Sequence, residues 1–218
     1  EVIYLPNCYQ ANQEKIEVSN KKLNKKDFGL PQDKFIFGCF NNSYKITPLI
    51  FKSWMNILKD YESSVLWLLQ DQKLGKQNLW EEAEKQEVNK ERIMFAERLP
   101  AKEHLKRIEL IDLFLDTFPY NAHTTASEAI RAGVPILTLK GKSFPSRVAS
   151  SILINIGLEK LIVSNLKDYE TKAISLAKNY KEIESLKNHL AQEKNLSKLF
   201  DSKAFTKDLE KIYKKIIS

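Results

Sequence analysis

The sequence predicts an α/β fold of the Rossmann-like, doubly wound kind: a parallel sheet with helices on both faces, followed by C-terminal helices. Three observations carry that prediction. From Phe28 onward, short apolar runs of strand length alternate with helical patterns, the signature of right-handed βαβ units. The runs are apolar throughout, as strands covered on both faces are. Between them, cap and stop residues fall where helices need to begin and end.

Taken in order, residues 1–27 open with Tyr4-Leu5-Pro6-Asn7 and continue through a polar, Lys- and Asn-rich stretch to Asp27. They read as an irregular linker segment, which leaves 28–218 as the domain proper. Residues 35–40 form a first strand. Thr47-Pro48 then opens a helix, Thr as cap and Pro at the first helical position, with Ile50, Trp54, Ile57, Leu58 and Tyr61 on its apolar face. A second strand covers 64–69 and a charged helix 79–87. The third strand is 92–95 and the third helix 100–109; the fourth strand is 111–115. A helix from about Thr125 stops at Gly133, with Pro135 just beyond. Residues 135–139 make a fifth strand, 146–156 a helix stopped by Gly157, and 161–163 a short sixth strand. The tail is helical, with Tyr169, Ala173, Leu176, Tyr180 and Ile183 on one face, and Phe205, Leu209, Ile212 and Ile216 on another.

Composition bounds the function. At 218 residues, 43% apolar and 10% aromatic, the chain can bury one full core. No apolar run reaches the ~20 residues of a membrane span. There is no signal-peptide pattern, and an opening on Glu1 implies a piece of a longer protein. Cys8 and Cys39 are too few for a disulfide framework and fit a reducing cytoplasm. With three scattered histidines they make no metal-binding pattern, so no metal site is expected. The net charge of +7 would attract an anionic ligand such as a nucleoside diphosphate. It equally describes lysines spread over the polar faces of helices. No basic-aromatic motif of a nucleic-acid binder is present.

In a parallel sheet, ligands bind beyond the carboxyl ends of the strands, and three loops there hold polar residues. After the first strand comes Asn41-Asn42-Ser43-Tyr44-Lys45-Ile46, where Lys45 can meet a phosphate as a point charge or be the solvated lysine of an ordinary turn. In the third helix His104 and Arg107 stand three apart on one face, suited to stacking on and hydrogen bonding a base, or to a charged amphipathic surface. The run from Asp116 to Glu128 is the most informative. It carries a strand straight into a helix N-terminus, whose free N–H groups and partial positive charge make a diphosphate site. His123, Thr124 and Thr125 add side chains there, and Glu128 can accept from ribose hydroxyls. Thr125-x-x-Glu128 is also a capping box. No G-x-G-x-x-G occurs, which disfavours an ordinary dinucleotide dehydrogenase.

The runs from Phe40 to Ile46, Ser64 to Leu69, Glu103-His104, Leu115 to Thr125, Ala132 to Pro135 and Ser146 to Ala149 resemble the C-terminal catalytic lobe of the O-linked N-acetylglucosamine transferase and SPINDLY glycosyltransferase family. The similarity runs from about Leu30 to the C-terminus, with the motifs in that family's order and spacing. It implies one lobe of a two-lobed GT-B enzyme, inverting and independent of metal or other cofactor, that transfers N-acetylglucosamine from its UDP donor to protein Ser or Thr. By position, Lys45 and the His123-Thr124-Thr125 turn would hold the diphosphate, and Lys45 would be the catalytic group. Asn42 would lie near the diphosphate or sugar, His104 and Arg107 would hold the uracil, and Glu128 the ribose. Two departures bear on the donor. Glu128 replaces an aspartate and matches the SPINDLY-type relatives, which use GDP-fucose. Ala101 stands where the transferase has a lysine. The resemblance also implies an N-terminal lobe and helical repeats outside this sequence, with residues 1–27 as the segment between the lobes. The contrasting reading is a non-catalytic module that binds a nucleotide or a protein.

Overall fold

The computed structural model describes residues 2–193 and 197–217. Glu1 and Ser218, the ends of the two predicted segments, lie outside them. Six parallel strands form one sheet: β1 (Phe35–Cys39), β2 (Ser64–Leu69), β3 (Ile93–Ala96), β4 (Leu113–Leu115), β5 (Ile136–Leu139) and β6 (Ile162–Val163). Their order is β3-β2-β1-β4-β5-β6. The sequence order therefore reverses between β1 and β4, and a crevice opens at the carboxyl ends of those two strands. The predicted doubly wound sheet is what the chain forms.

The four central strands β2, β1, β4 and β5 are where the apolar runs put them because they are covered on both faces. β2 has the predicted bounds, and Val65, Leu66, Trp67 and Leu68 are buried. β4 is shorter than expected: at Asp112 the backbone N–H still donates to the Ile36 carbonyl at 2.9 Å, but the side-chain Oδ2 accepts the Ile36 N–H, at 2.8 Å. Ile111 then folds over β1, where a Cβ on Gly38 would sit 2.3 Å from Ile111 Cδ1. Only glycine fits that crossing. Arg92 belongs to a short turn before β3, its guanidinium donating to the carbonyls of Leu58, Tyr61 and Ser64.

Helices α1 (Pro48–Asp60), α2 (Lys73–Lys85), α3 (Ala101–Ile108), α4 (Thr124–Arg131) and α5 (Val148–Asn155) connect the strands. Thr47 caps α1 by accepting the Ile50 N–H, as its side chain predicts. α2 starts six residues before its predicted start, at Lys73. It buries only Ala83, so its first turn carries no apolar period to reveal it. α5 starts at Val148 because Ser146 and Arg147 are spent in a turn on Ser143 and Phe144. Gly133 ends α4 with φ of 77°, a left-handed value that glycine adopts without steric cost.

Three further helices, α6 (Leu166–Lys178), α7 (Tyr180–Glu193) and α8 (Ser202–Ile217), follow the sheet. α6 lies against α1, where Trp54 Nε1 donates to Tyr169 Oη at 3.2 Å and Tyr169 Oη donates to the Asp116 carbonyl at 2.9 Å. Asn179 breaks the continuous helix that the sequence implies, and the break turns Tyr180 into solvent while Ile183 stays buried. α8 is only half-covered: Phe205, Leu209 and Ile212 face the protein and Ile216 is exposed.

Residues 2–24 contain no regular element, yet they are packed. Cys8 and Asn12 are buried, and Asn12 Nδ2 donates to the Leu199 carbonyl at 3.1 Å. Arg131 of α4 donates to the carbonyls of Gln13 and Glu14, Lys102 of α3 pairs with Glu17, and Lys21 with Glu103. The segment thus runs along the ends of α4 and α3 beside the crevice.

Candidate functional site

The β1 and β4 loops enclose an open cleft of 370 Å³ lined by Phe40, Asn41, Asn42, Lys45, His123, Thr124 and Thr125, together with Tyr9, Gln10, Tyr44 and Tyr120. It falls in the size range of small-molecule sites and at the strand-order switch.

Lys45 is buried instead of being the solvated lysine of an ordinary turn. Its Nζ donates to the Asn121 carbonyl at 3.0 Å and lies 3.9 Å from the Tyr120 ring centre. Burial pulls its pKa below the usual lysine value, and Asp116 partly offsets this. Asp71, after β2, fixes the turn by accepting from Ser43 N at 2.7 Å and Ser43 Oγ at 2.9 Å. Asn42 lies at the rim, where Arg98 Nη2 donates to its Oδ1 at 3.3 Å.

The second wall rests on Asp116, fully buried at the end of β4. Its carboxylate accepts from Thr117 N at 2.8 Å, Ala122 N at 2.6 Å and Thr138 Oγ1 at 2.6 Å. Burial pushes its pKa up to about 7 against these donors and the Lys45 charge. Asn121 Nδ2 donates to the Thr117 carbonyl at 2.8 Å, and Asn41 Nδ2 to Thr117 Oγ1 at 2.7 Å. The Phe118–Pro119 peptide is cis. This network holds the loop that delivers His123 to the start of α4.

α4 starts one residue earlier than expected, with His123 as its N-cap. Thr125 is therefore inside the first turn, and the capping box with Glu128 does not form. The Thr125 hydroxyl donates to Asn41 Oδ1 instead, tying the two walls together. The N–H groups of Thr124 and Thr125, the first two of the helix, have no intrahelical acceptor, and both residues line the cleft. The His123 ring stands edge-on to Tyr9, Tyr120 and Phe144 at 5.8, 5.2 and 6.2 Å. Burial and the Lys45 charge lower its pKa.

His104, Arg107 and Glu128 gather beside the cleft, behind Phe40. The His104 ring lies tilted against Phe40, 5.4 Å between ring centres, and its Nε2 lies 3.8 Å from Glu128 Oε2. Burial, with the Arg107 and Arg98 charges, pushes His104 down to about 4, so the ring is neutral near pH 7. Its Nδ1 accepts from Arg107 Nε at 3.0 Å, which leaves the hydrogen on Nε2, toward Glu128. Burial raises the Glu128 pKa. Arg107 differs from its expected place on an open face: its guanidinium is buried under Phe40 and donates to the Glu97 carbonyl, with Nη2 unpartnered.

The structure thus brings the eight sequence-predicted residues to one sheet edge. Sequence reasoning missed Tyr9, Gln10, Tyr120, Asp71 and Arg98, and it passed over Asp116 as a loop residue. Tyr9 and Gln10 lie in the stretch read as a linker, where no periodic signal points to them.

Fold and cleft together define one Rossmann-like lobe of the GT-B glycosyltransferase class. The glycosyltransferase WaaG of lipopolysaccharide biosynthesis shares this fold at 14% identity, with a TM-score of 0.65 over 94% of this chain and 54% of that one. The particular family follows from sequence. The model of glycosyl transferase family 41 matches residues 6–209, and the chain belongs to that family. The Arabidopsis thaliana protein "Probable UDP-N-acetylglucosamine--peptide N-acetylglucosaminyltransferase SEC" is 39% identical over 99% of this chain and 23% of its own length. A Caenorhabditis elegans UDP-N-acetylglucosamine--peptide N-acetylglucosaminyltransferase is 30% identical over 92% of this chain and 17% of its own. Among solved structures, a mutant Thermobaculum terrenum O-GlcNAc transferase superposes with a TM-score of 0.80 at 29% identity, covering 84% of this chain and 36% of that one. The chain spans less than a quarter of these two curated relatives.

Proposed function

We propose that this chain is the donor-binding lobe of an inverting, metal-independent protein O-glycosyltransferase that uses UDP-N-acetylglucosamine to modify Ser or Thr in the cytoplasm. One observation carries the reading: Lys45 and the N-terminus of α4 converge on the same cleft at the strand-order switch. A cation and oriented N–H dipoles on one spot suit a diphosphate. An acceptor hydroxyl would attack the anomeric carbon as the sugar–phosphate bond breaks, and the nucleoside diphosphate would leave with the bonding electrons. Lys45 and the Thr124 and Thr125 N–H groups would stabilise the charge that grows on the leaving oxygens. His104 and Glu128, paired behind Phe40, would meet the uracil and ribose, with Arg107 holding the His104 ring. Acceptor binding would fall to the N-terminal lobe and helical repeats of a longer protein, with residues 1–27 crossing between the lobes.

Glu128 keeps GDP-fucose in view as a donor. Calorimetry with UDP, UDP-N-acetylglucosamine, GDP and GDP-fucose tests the assignment. The uridine ligands should bind more tightly than the guanosine ones. Preference for GDP-fucose would reassign the donor, and absence of binding by all four would remove the nucleotide site.

A further inference from the structure

The irregular N-terminal segment contributes two side chains to the cleft. Tyr9 Oη lies 2.7 Å from His123 Nδ1, and Gln10 Nε2 donates to Thr124 Oγ1 at 3.2 Å. Both contacts bridge 114 residues of sequence, and both fall on the turn where the diphosphate is proposed to sit. The Tyr9 ring is itself fixed edge-on to Phe144 at 4.9 Å.

These two contacts set which way hydrogens point. The Tyr9 hydroxyl has two neighbours, His123 Nδ1 at 2.7 Å and Gln10 Oε1 at 3.4 Å, and it donates along the shorter contact, because a phenol is a stronger donor than a neutral imidazole N–H and an imidazole nitrogen a stronger acceptor than a phenol oxygen. Nδ1 therefore accepts from Tyr9, and the hydrogen of the neutral ring falls on Nε2, which is buried without a hydrogen-bond partner. The Gln10 amide is a donor by nature, so Thr124 Oγ1 accepts and its own hydrogen is left to point elsewhere. The open direction is the cleft, because Thr124 is exposed there.

We propose that Tyr9 is a positioning residue for this site. It holds His123 as the neutral Nε2–H tautomer and, with Gln10, arranges the turn so that the Thr124 hydroxyl donates to the ligand. Held neutral, His123 adds no second cation beside Lys45, and the turn meets the diphosphate with oriented hydrogen-bond donors. The inference rests on the nucleotide-site reading for its ligand, but the tautomer is a property of the free protein.

The test uses Tyr9→Phe, which keeps the ring and its contacts with His123 and Phe144 and removes only the hydroxyl. With three histidines in the chain, the ring nitrogens can be assigned by ¹⁵N NMR against His123→Ala. Wild type should show Nε2–H at His123, and Tyr9→Phe a mixture of tautomers. UDP affinity should fall about three- to ten-fold in Tyr9→Phe, the loss of one hydrogen bond's influence, and further in His123→Ala. A wild-type Nδ1–H tautomer, or a tautomer unmoved by Tyr9→Phe, overturns the proposal with or without ligand. Loss of UDP affinity in His123→Ala but not in Tyr9→Phe would leave the nucleotide site standing and remove Tyr9 from it. Unaltered UDP affinity in both His123→Ala and Lys45→Met would sink the nucleotide-site reading instead.

Discussion

Lys45 shows how one side chain can serve both packing and charge. Its side chain is buried, and its ammonium donates to the Asn121 carbonyl and lies over the face of Tyr120. Alanine would therefore disturb packing as well as charge. Lys45→Met keeps most of the stem. It should weaken UDP binding by ~1.5–3 kcal/mol, the worth of a hydrogen bond to a charged group, with a smaller effect on thermal stability. Calorimetry beside a melting curve separates the two, and a large fall in Tm with unchanged affinity would make Lys45 structural. Asp116 makes the opposite case, a carboxyl whose charge is costly. Its folded pKa is raised to about 7, above its unfolded value near 4. The native state therefore holds the proton more tightly, and this contribution to stability is complete below about pH 4 and lost as pH rises through about 7. Asp116→Asn keeps an oxygen for the Thr117 and Ala122 N–H groups and presents an amide to Thr138. Relative to wild type it should gain on the order of 2 kcal/mol between pH 5 and pH 8. Melting curves at the two pH values check this; an equal gap at both would mean that Asp116 does not titrate there.

At the scale of elements, α1, α6 and the end of β4 are linked by the hydrogen bonds from Trp54 to Tyr169 and from Tyr169 to the Asp116 carbonyl. Tyr169→Phe leaves the Trp54 indole N–H and that carbonyl without this partner in a dry interior. It should cost ~1–3 kcal/mol, read as a lower urea midpoint at constant slope; an unchanged midpoint would show that the link carries no stability. Elements were legible in the sequence to the degree that burial wrote them there. Strands covered on both faces, such as Ser64–Leu69, announce themselves as apolar runs, and Thr47-Pro48 marks the start of α1 by cap chemistry alone. α2 does not, because a helix that buries little carries little period. The site residues on strand-end loops were legible for a topological reason: Lys45, His123 and Thr124 follow strands whose carboxyl ends meet at the switch. Direction was not legible. Arg107 turns inward beneath Phe40, where its guanidinium donates to the Glu97 carbonyl. A capping box and a ligand carboxylate use the same spacing, and only the start of α4 at Thr124 decides against the cap. Tyr9 and Gln10 carry no local signal, since what gives them a role is a contact 114 residues away.

For the molecule as a whole, the proposed division of labour predicts binding without turnover. Every residue assigned a role here serves the donor, and orienting two reactants can supply ~7–11 kcal/mol of a barrier reduction. The 218-residue chain should therefore bind UDP-N-acetylglucosamine and transfer no sugar to peptide acceptors. A radiolabelled-donor assay beside a longer family member tests this, and robust transfer by the chain alone would place the full machinery within these residues.

The two ends of the fold are fastened to each other: Asn7 Nδ2 donates to Asp208 Oδ2 at 2.9 Å across 201 positions, and Asn155 of α5 donates to the Asn7 carbonyl. Mechanically this is a clasp. Tension applied at residue 2 or along α8 loads the clasp before it reaches the sheet, because the strands lie deeper and are tied in parallel. Tyr9 is two residues from the clasp, roughly 7 Å along an extended chain. Slack or pull at either end of the domain thus has a short covalent path to the hydroxyl that touches His123.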